Sequence, residues 1–304
     1  MTTVAMALAA ARTKLPANEA RLLLGHVTAR PAAWLMAHDD EVLDEDAMLH
    51  FASLVARRKG GEPVAYLLGY REFYGREFAV SPAVLIPRPE TELLVDRALA
   101  HKVMRSGIHA DGAGAGAAAT GAALSTTIRT TIRTTTRAPR ILDLGTGSGC
   151  IAITLALEIP SAQVCAVDAS EAALLVAGKN AERLGASVRL LQSDWFGSLS
   201  GESFDLILAN PPYIAERDPH LGVEDLRYEP RPALASGADG LDAIRRIVAD
   251  APAHLLAGGQ LWLEHGYDQA VAVRELLAEA GLHDIEQHRD VAGIVRVSGG
   301  RLQQ

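Results

Sequence analysis

From Pro139 onward the chain alternates short apolar runs with stretches of helical spacing, and that alternation leaves few folds open. Runs at 140–144, 163–167, 187–191, 204–209, 260–265, 283–288 and 293–298 read as strands. Helical spacing falls near 149–158, 170–184, 240–257 and 268–280. Strands joined through helices by short loops predict an α/β fold with a mostly parallel, doubly wound sheet. Ligands of such sheets sit outside the carboxyl ends of the strands, where the strand order reverses. The polar residues that close each strand are therefore where chemistry is expected.

The front of the chain has a different period. Residues 1–62 read as several short helices forming a small domain. Leu22, Leu23 and Leu24 are expected to pack with Val27, and Trp34-Leu35-Met36 form a second cluster after Pro31. Asp44-Glu45 open a helix in which Met48, Phe51, Leu54 and Val55 fall at helical spacing. Arg57-Arg58-Lys59 close it before Gly60-Gly61, as cations at a carboxyl end and a glycine stop favour. These stripes read as core rather than binding surface. Residues 63–90 read as a β-hairpin, with strands at Tyr66–Tyr70 and Glu72–Val80, and an extended connection. Pro87 and Pro89 hold that connection before a helix from about Thr91 to Met104, with Thr91 or a neighbour as N-cap. The sheet domain, 91–304, is interrupted at 106–138 by a Gly/Ala/Thr-rich insertion in which Thr-Thr-Ile-Arg recurs at 126–129 and 130–133. With few large apolar residues it cannot offset its ordering entropy, and it reads as a solvated, disordered segment.

Composition excludes several classes. The chain has 304 residues, 49% hydrophobic and 22% charged, which suits a soluble globular protein. A formal net charge of −8 argues against a nucleic acid as substrate, since its binders usually carry a basic face. Cys150 and Cys165 have neither metal-ligand nor Cys-x-x-Cys spacing and read as core residues of a reducing cytosol. The ten histidines are scattered, so no metal site is expected. The apolar start Val4–Ala11 lacks the basic flank of a signal peptide, and no run approaches the ~20 residues of a membrane span. A cytoplasmic monomer is the expectation.

Four strand ends carry the chemistry. Ile141-Leu142-Asp143-Leu144 leads into Gly145-Thr146-Gly147-Ser148-Gly149 and then a helix. Glycines let that loop approach a ligand closely, and the helix amides behind it offer donors. A dinucleotide fingerprint wants Gly-x-Gly-x-x-Gly, but Cys150 holds the third glycine position. Asp143 would also repel a pyrophosphate, so a ligand with a positive or neutral centre, such as S-adenosylmethionine, fits better. Asp168 closes the second strand and can accept both hydroxyls of a ribose; its bland reading is a helix N-cap shared with Ser170. The third strand ends in Ser193-Asp194-Trp195-Phe196, an acceptor for an adenine amine beside an aromatic face. The fourth delivers Asn210-Pro211-Pro212-Tyr213. Two prolines stiffen that turn and remove two donors, which leaves the Asn210 side-chain oxygen and the Pro211 carbonyl as a rigid pair of acceptors beside Tyr213. Such a pair can hold a planar –NH2 group while its nitrogen reacts. Its bland reading is an ordinary tight turn. Glu264-His265-Gly266, ending the fifth strand, is a candidate floor or lid, with packing the simpler explanation.

These residues match a family. The chain resembles the HemK/PrmC protein-(glutamine-N5) methyltransferases over most of residues 15–300. The match rests on Gly61-Glu62-Pro63-Val64-Ala65-Tyr66, Arg71-Glu72-Phe73, Leu85-Ile86-Pro87-Arg88-Pro89-Glu90-Thr91-Glu92, Asp143–Gly149 and Asn210–Tyr213. The resemblance implies a class I methyltransferase fold of seven strands, the last antiparallel, with a hairpin joining the helical domain. It implies S-adenosylmethionine as cofactor, leaving as S-adenosylhomocysteine, on Gly145, Thr146, Gly147, Ser148, Gly149, Asp168, Asp194, Trp195 and Asn210. It places a substrate glutamine on Asn210, Pro211, Pro212 and Tyr213, of which Asn210, Pro211 and Tyr213 are the catalytic group. The substrate it implies is the glutamine of the Gly-Gly-Gln motif of class-1 peptide chain release factors, with the helical domain helping to dock them. Asn-Pro-Pro-Tyr is shared with enzymes that methylate amino groups of adenine or guanine, which stand as the alternative. The chain's own Gly258-Gly259-Gln260 reads as a helix stop before a strand, not as a self-substrate.

Overall fold

The computed structural model describes residues 1–100 and 137–303, so the insertion at 106–138 lies almost wholly outside the described residues. The chain opens with helices α1 (Val4–Arg12), α2 (Ala17–Thr28), α3 (Ala32–Ala37) and α4 (Glu45–Lys59). The Asp44 carboxylate caps α4 by accepting the Ala47 N–H at 2.7 Å. Val4, Leu8, Leu23, Leu24, Leu35, Phe51, Leu54 and Val55 close a common core. Leu22 and Met36, expected in these clusters, are exposed. A helix turning every 3.6 residues buries positions 20, 23 and 24 of α2 together, and Leu22 then faces away.

The run after Pro63 departs from expectation. Val64–Leu68 is helix α5, not a strand, and ends at Gly69 with φ of 82°. Three consecutive residues, Ala65, Tyr66 and Leu67, are buried, which a strand with one solvated face does not achieve. The hairpin is therefore shorter, with β1 (Tyr70–Phe73) and β2 (Arg76–Ala79) turning through Tyr74 and Gly75. Both turn residues have positive φ, as a two-residue hairpin loop of matching twist needs. A 3-10 turn, Pro89–Thr91, then precedes α6 (Glu92–Ala100), and the Thr91 hydroxyl is engaged with Glu264 rather than capping the helix.

The sheet follows: β3 (Arg140–Leu144), α7 (Cys150–Glu158), β4 (Gln163–Asp168), α8 (Glu171–Leu184), β5 (Arg189–Gln192) and β6 (Phe204–Ala209). It is completed by α9 (Asp242–His254), β7 (Leu255–Glu264), α10 (Ala270–Glu279), β8 (Leu282–Arg289) and β9 (Val295–Leu302). Seven strands lie in the order β5-β4-β3-β6-β7-β9-β8, with β9 antiparallel to both neighbours and the other pairings parallel, as expected for a class I methyltransferase. All six residues of β6 are buried: Leu206 and Leu208 face one core, Ile207 and Ala209 the other. The strand order reverses between β3 and β6. Among the described residues no helix is long and apolar enough to cross a membrane.

Gly258-Gly259-Gln260 is not a helix stop. The tripeptide lies inside β7, where the register jumps from Phe204↔Leu255 to Leu206↔Gln260. A Cβ on Gly259 would stand 2.8 Å from the Leu256 carbonyl oxygen, so this irregularity needs glycine. The Gln260 side-chain oxygen accepts the Trp262 indole N–H at 3.0 Å.

Asn180 of α8 ties three elements together. Its side-chain oxygen accepts the Ala79 N–H at 2.8 Å, and its –NH2 donates to the Ala79 and Ser148 carbonyls at 3.0 and 2.9 Å. Asn180→Ala would strand the buried Ser148 carbonyl and the half-buried Ala79 backbone groups, and the expected loss of stability in urea unfolding is about 2–4 kcal/mol. A loss within ±0.5 kcal/mol of zero would deny Asn180 this role.

Candidate active site

The strand ends meet in one crevice. Leu144 pairs with Val167 on one side and Ala209 on the other, so Gly145, Asp168 and Asn210 emerge side by side. A cavity of about 240 Å³ opens there, lined by Gly145, Gly147, Asp168, Asp194, Trp195, Asn210 and Pro212 among others. Its far wall is Val84 and Leu85 before α6 and Pro230, Pro232 and Ala233 after β6. Gly145, with φ of 69°, has the Trp195 ring across it; a Cβ there would sit 3.4 Å from that ring.

Thr146, Ser148 and Gly149 do not line this cavity but build the loop behind it. The Thr146 hydroxyl donates to Asp143 Oδ2 at 2.6 Å. A Cβ on Gly149 would reach 2.7 Å from Ile153 Cδ1, so glycine lets α7 start against the sheet. Asp143 is fully buried, and its Oδ1 has no hydrogen-bond partner among the described residues. Burial pushes its carboxyl up to about 7, against the pull of the Thr146 hydroxyl. Asp168 accepts the Gly147 and Ser170 N–H groups, each at 2.9 Å, one on each oxygen. Each oxygen keeps a further lone pair for a ligand. Asp194 is held by Arg246 at 2.7 Å at the outer rim.

A second, smaller cavity of about 60 Å³ lies beyond Asn210, lined by Arg88, Pro211, Tyr213, Ile214 and Leu234 among others. Asn210 lines both cavities. Its –NH2 donates to Thr91 Oγ1 at 3.0 Å, while its buried Oδ1 has no partner among the described residues. Thr91 in turn donates to Glu264 Oε2 at 2.7 Å, and the Tyr213 hydroxyl donates to Glu264 Oε1 at 3.4 Å. Glu264, last residue of β7, is thus the floor beneath the Asn-Pro-Pro-Tyr turn. Burial pushes its carboxyl up to about 7. His265, proposed with it as floor or lid, is buried on other partners, Ser298 Oγ at 2.8 Å and the Gly266 carbonyl at 2.9 Å.

Two further residues of the site went unassigned in the sequence. Glu229, whose side chain is fully buried, pairs with Arg88 and accepts the Ile86 N–H at 2.9 Å. The bond thereby fixes the segment before α6 against the wall of both cavities. Neither Glu229 nor Arg88 stands at a strand end, and their separation of 141 residues leaves no local signal. Glu264 did carry one, since it ends a buried strand as Asp168 and Asn210 do.

Comparison with known proteins agrees with this arrangement. Residues 2–69 match the family model of the PrmC N-terminal domain, and residues 112–225 that of the methyltransferase small domain. A release factor glutamine methyltransferase of Bordetella pertussis is 49% identical over 95% of this chain and 96% of its own length. Proteins of the same description from Burkholderia pseudomallei and Escherichia coli are 48% and 40% identical, each over 95% of this chain and 93% of their own length. The chain belongs to the release factor glutamine methyltransferase family. Among solved structures, a methyltransferase from Pyrococcus furiosus has a TM-score of 0.50 at 16% identity, covering 83% of this chain and all of that one. The hMettl16 catalytic domain bound to the MAT2A 3'UTR hairpin 1 has a TM-score of 0.51 at 14% identity, covering 84% and 80%. Both share the fold. The chain is accordingly a methyltransferase built on the class I sheet.

The two buried carboxyls set a pH dependence. Both titrate near 7 when folded and near 4 when unfolded, so the native state binds more protons between those values. Their contribution to stability is full below about pH 4 and is lost as pH rises through about 7. Asp143→Asn should flatten this fall by about 1 kcal/mol or more between pH 5 and 8 in urea unfolding. An unchanged slope would mean that Asp143 titrates normally.

Proposed function

We propose that the chain transfers the sulfonium methyl of S-adenosylmethionine to the side-chain amide nitrogen of a protein glutamine, that of the Gly-Gly-Gln motif in class-1 peptide chain release factors. The observation that carries this reading is Asn210, which stands between a larger and a smaller cavity with a buried, unpartnered carbonyl oxygen. A buried acceptor without a donor costs stability unless a ligand supplies one. The primary amide of a glutamine supplies two N–H groups. The close relatives described as release factor glutamine methyltransferases support the choice of protein.

The larger cavity fits the cofactor by its chemistry. Asp168 has lone pairs free for ribose hydroxyls, Trp195 offers an aromatic face beside Gly145, and Asp194 stands at the rim as an acceptor. Asp143, with an unpartnered oxygen behind the glycine loop, favours a positively charged ligand over a pyrophosphate. When bound, S-adenosylmethionine supplies a methyl carbon activated by a sulfonium. The protein's part is positioning. Asn210 Oδ1 and the Pro211 carbonyl accept the two amide N–H bonds and hold the nitrogen still; Tyr213 walls the smaller cavity. The same acceptors favour the positive charge that grows on the nitrogen as it bonds to carbon, and the surplus proton leaves to water. No strong base is needed. We place this activity in the cytoplasm, on a monomer.

The test incubates purified protein with methyl-labelled S-adenosylmethionine and a class-1 release factor, beside a Gly-Gly-Ala version and a DNA control. Label on the intact release factor alone is expected; label on DNA instead would move the assignment to amino groups of nucleic acid. In that assay Asn210→Ala should lower turnover about a hundredfold or more while leaving cofactor affinity nearly unchanged. Asp168→Ala should weaken calorimetric S-adenosylmethionine binding about ten- to a hundredfold. Unaltered affinity would remove Asp168 from the cofactor site.

A further inference from the structure

We propose that Thr91 and Glu264 form a positioning relay that decides which end of the Asn210 amide faces the acceptor nitrogen. The inference rests on the reading that Asn210 Oδ1 accepts the substrate amide. An asparagine side chain is nearly symmetric in shape, and turned over it would present –NH2 to another –NH2. Something must hold it one way.

The neighbours of Asn210 do so by hydrogen-bond polarity. A carboxylate at Glu264 only accepts, so the Thr91 hydroxyl spends its single proton on Oε2, 2.7 Å away. Thr91 Oγ1 is then left with lone pairs alone, and it accepts the Asn210 –NH2 at 3.0 Å. With its nitrogen committed, Asn210 keeps Oδ1 as a free acceptor, with no partner among the described residues, on a residue that lines both cavities. The Tyr213 hydroxyl donates to the other Glu264 oxygen, so one carboxylate orders both the amide and the aromatic wall. Thr91 and Glu264 are buried, at 2% and 1% exposure, so water does not compete for these bonds.

The relay has a direction that a proton can reverse. With a proton on Oε2, Glu264 donates to Thr91, whose own proton then turns to Asn210 and favours the overturned amide. Burial holds the Glu264 carboxyl up near 7, so both forms are accessible around neutrality. The groups that face it are Glu90 before α6, which raises its proton affinity, and Arg296 of β9 and the Tyr213 hydroxyl, which lower it. Cys150 at the start of α7 also senses it, as a thiol kept protonated by burial, and the adjoining His265 is kept neutral by burial. Thr91 and Glu264 touch neither cavity, and they act through Asn210 and Tyr213.

The test measures kcat, KM for the release factor and cofactor affinity on the full chain, from pH 5.5 to 8.5. Thr91→Val, which keeps the shape and removes the hydroxyl, should lower kcat about ten- to a hundredfold with little change in cofactor affinity. Thr91→Ser should restore it. Wild-type kcat should rise with pH along a limb centred near 7. Glu264→Gln, whose amide oxygen accepts at every pH, should remove that limb. Wild-type kcat in Thr91→Val, with Asn210→Ala inactive, would overturn the relay alone. Full activity in Asn210→Ala would overturn the underlying reading and the relay with it. If Thr91→Val does not fold, an unaltered pH limb in Glu264→Gln overturns the proposal by itself.

Discussion

The pairing of β3 with β6 is the constraint on which the rest of the site depends. It brings together two strands far apart in sequence at the point where the sheet reverses its order. Because Leu144 is opposite Ala209, and Ala209 opposite Leu263, the next residue on each strand belongs to the site: Gly145, Asn210 and Glu264. Slipping the register by one residue would exchange the inward and outward faces of β6. A strand buried on both sides cannot tolerate that, since Leu206 and Leu208 fill one core while Ile207 and Ala209 fill the other. Hydrophobic packing thus fixes polar chemistry to within a hydrogen bond's length.

This explains which parts were legible in the sequence. Strand ends were, because a buried strand shows as an apolar run and the polar residue that closes it is conspicuous. Gly145, Asp168, Trp195 and Asn210 stand out in this way, and all line one cavity. The helix α5 was misread because a run of five residues after proline carries no period, and only contact with two cores makes it helical. Thr91 was read as a cap from its local setting. Its partner is Glu264, 173 residues away, and no local pattern encodes a bond of that span. Gly258-Gly259 was read from glycine's habit of stopping helices, whereas an irregular strand needs glycine just as strongly.

The helical domain is joined to the segment that lines the smaller cavity by short polar and charged contacts. Arg58 at the end of α4 holds Glu19 within its own domain and Asp225 of the sheet domain, each at 2.7 Å. The Gly60 carbonyl accepts the Tyr228 hydroxyl at 2.8 Å and an Arg227 N–H. Residues 225–228 lead directly to Glu229, which grips Arg88 and the Ile86 N–H. Leu226, Ala233 and Leu234 from the same stretch line the smaller cavity. One segment therefore touches the helical domain on one side and lines the smaller cavity on the other. Such partly buried ion pairs add little net stability, but breaking one leaves a charge without its partner. Their main effect is to fix geometry between the two domains.

The polar atoms left unpaired tell the same story in energetic terms. Five buried side-chain atoms lack partners among the described residues, and two of them are Asp143 Oδ1, behind the glycine loop, and Asn210 Oδ1, on a residue that lines the crevice. A fold selected for stability alone would satisfy or remove both, since each unmet acceptor costs about 1–3 kcal/mol. Asn210 could satisfy its oxygen by turning toward Thr91, were Thr91 free to donate. Glu264 takes that donor away. The cost of the unpartnered oxygen is therefore imposed by the neighbouring residues, and a ligand that supplies the missing donor recovers it. Local instability of this kind makes the site selective, because a molecule without an N–H at that position leaves the oxygen as unsatisfied as before.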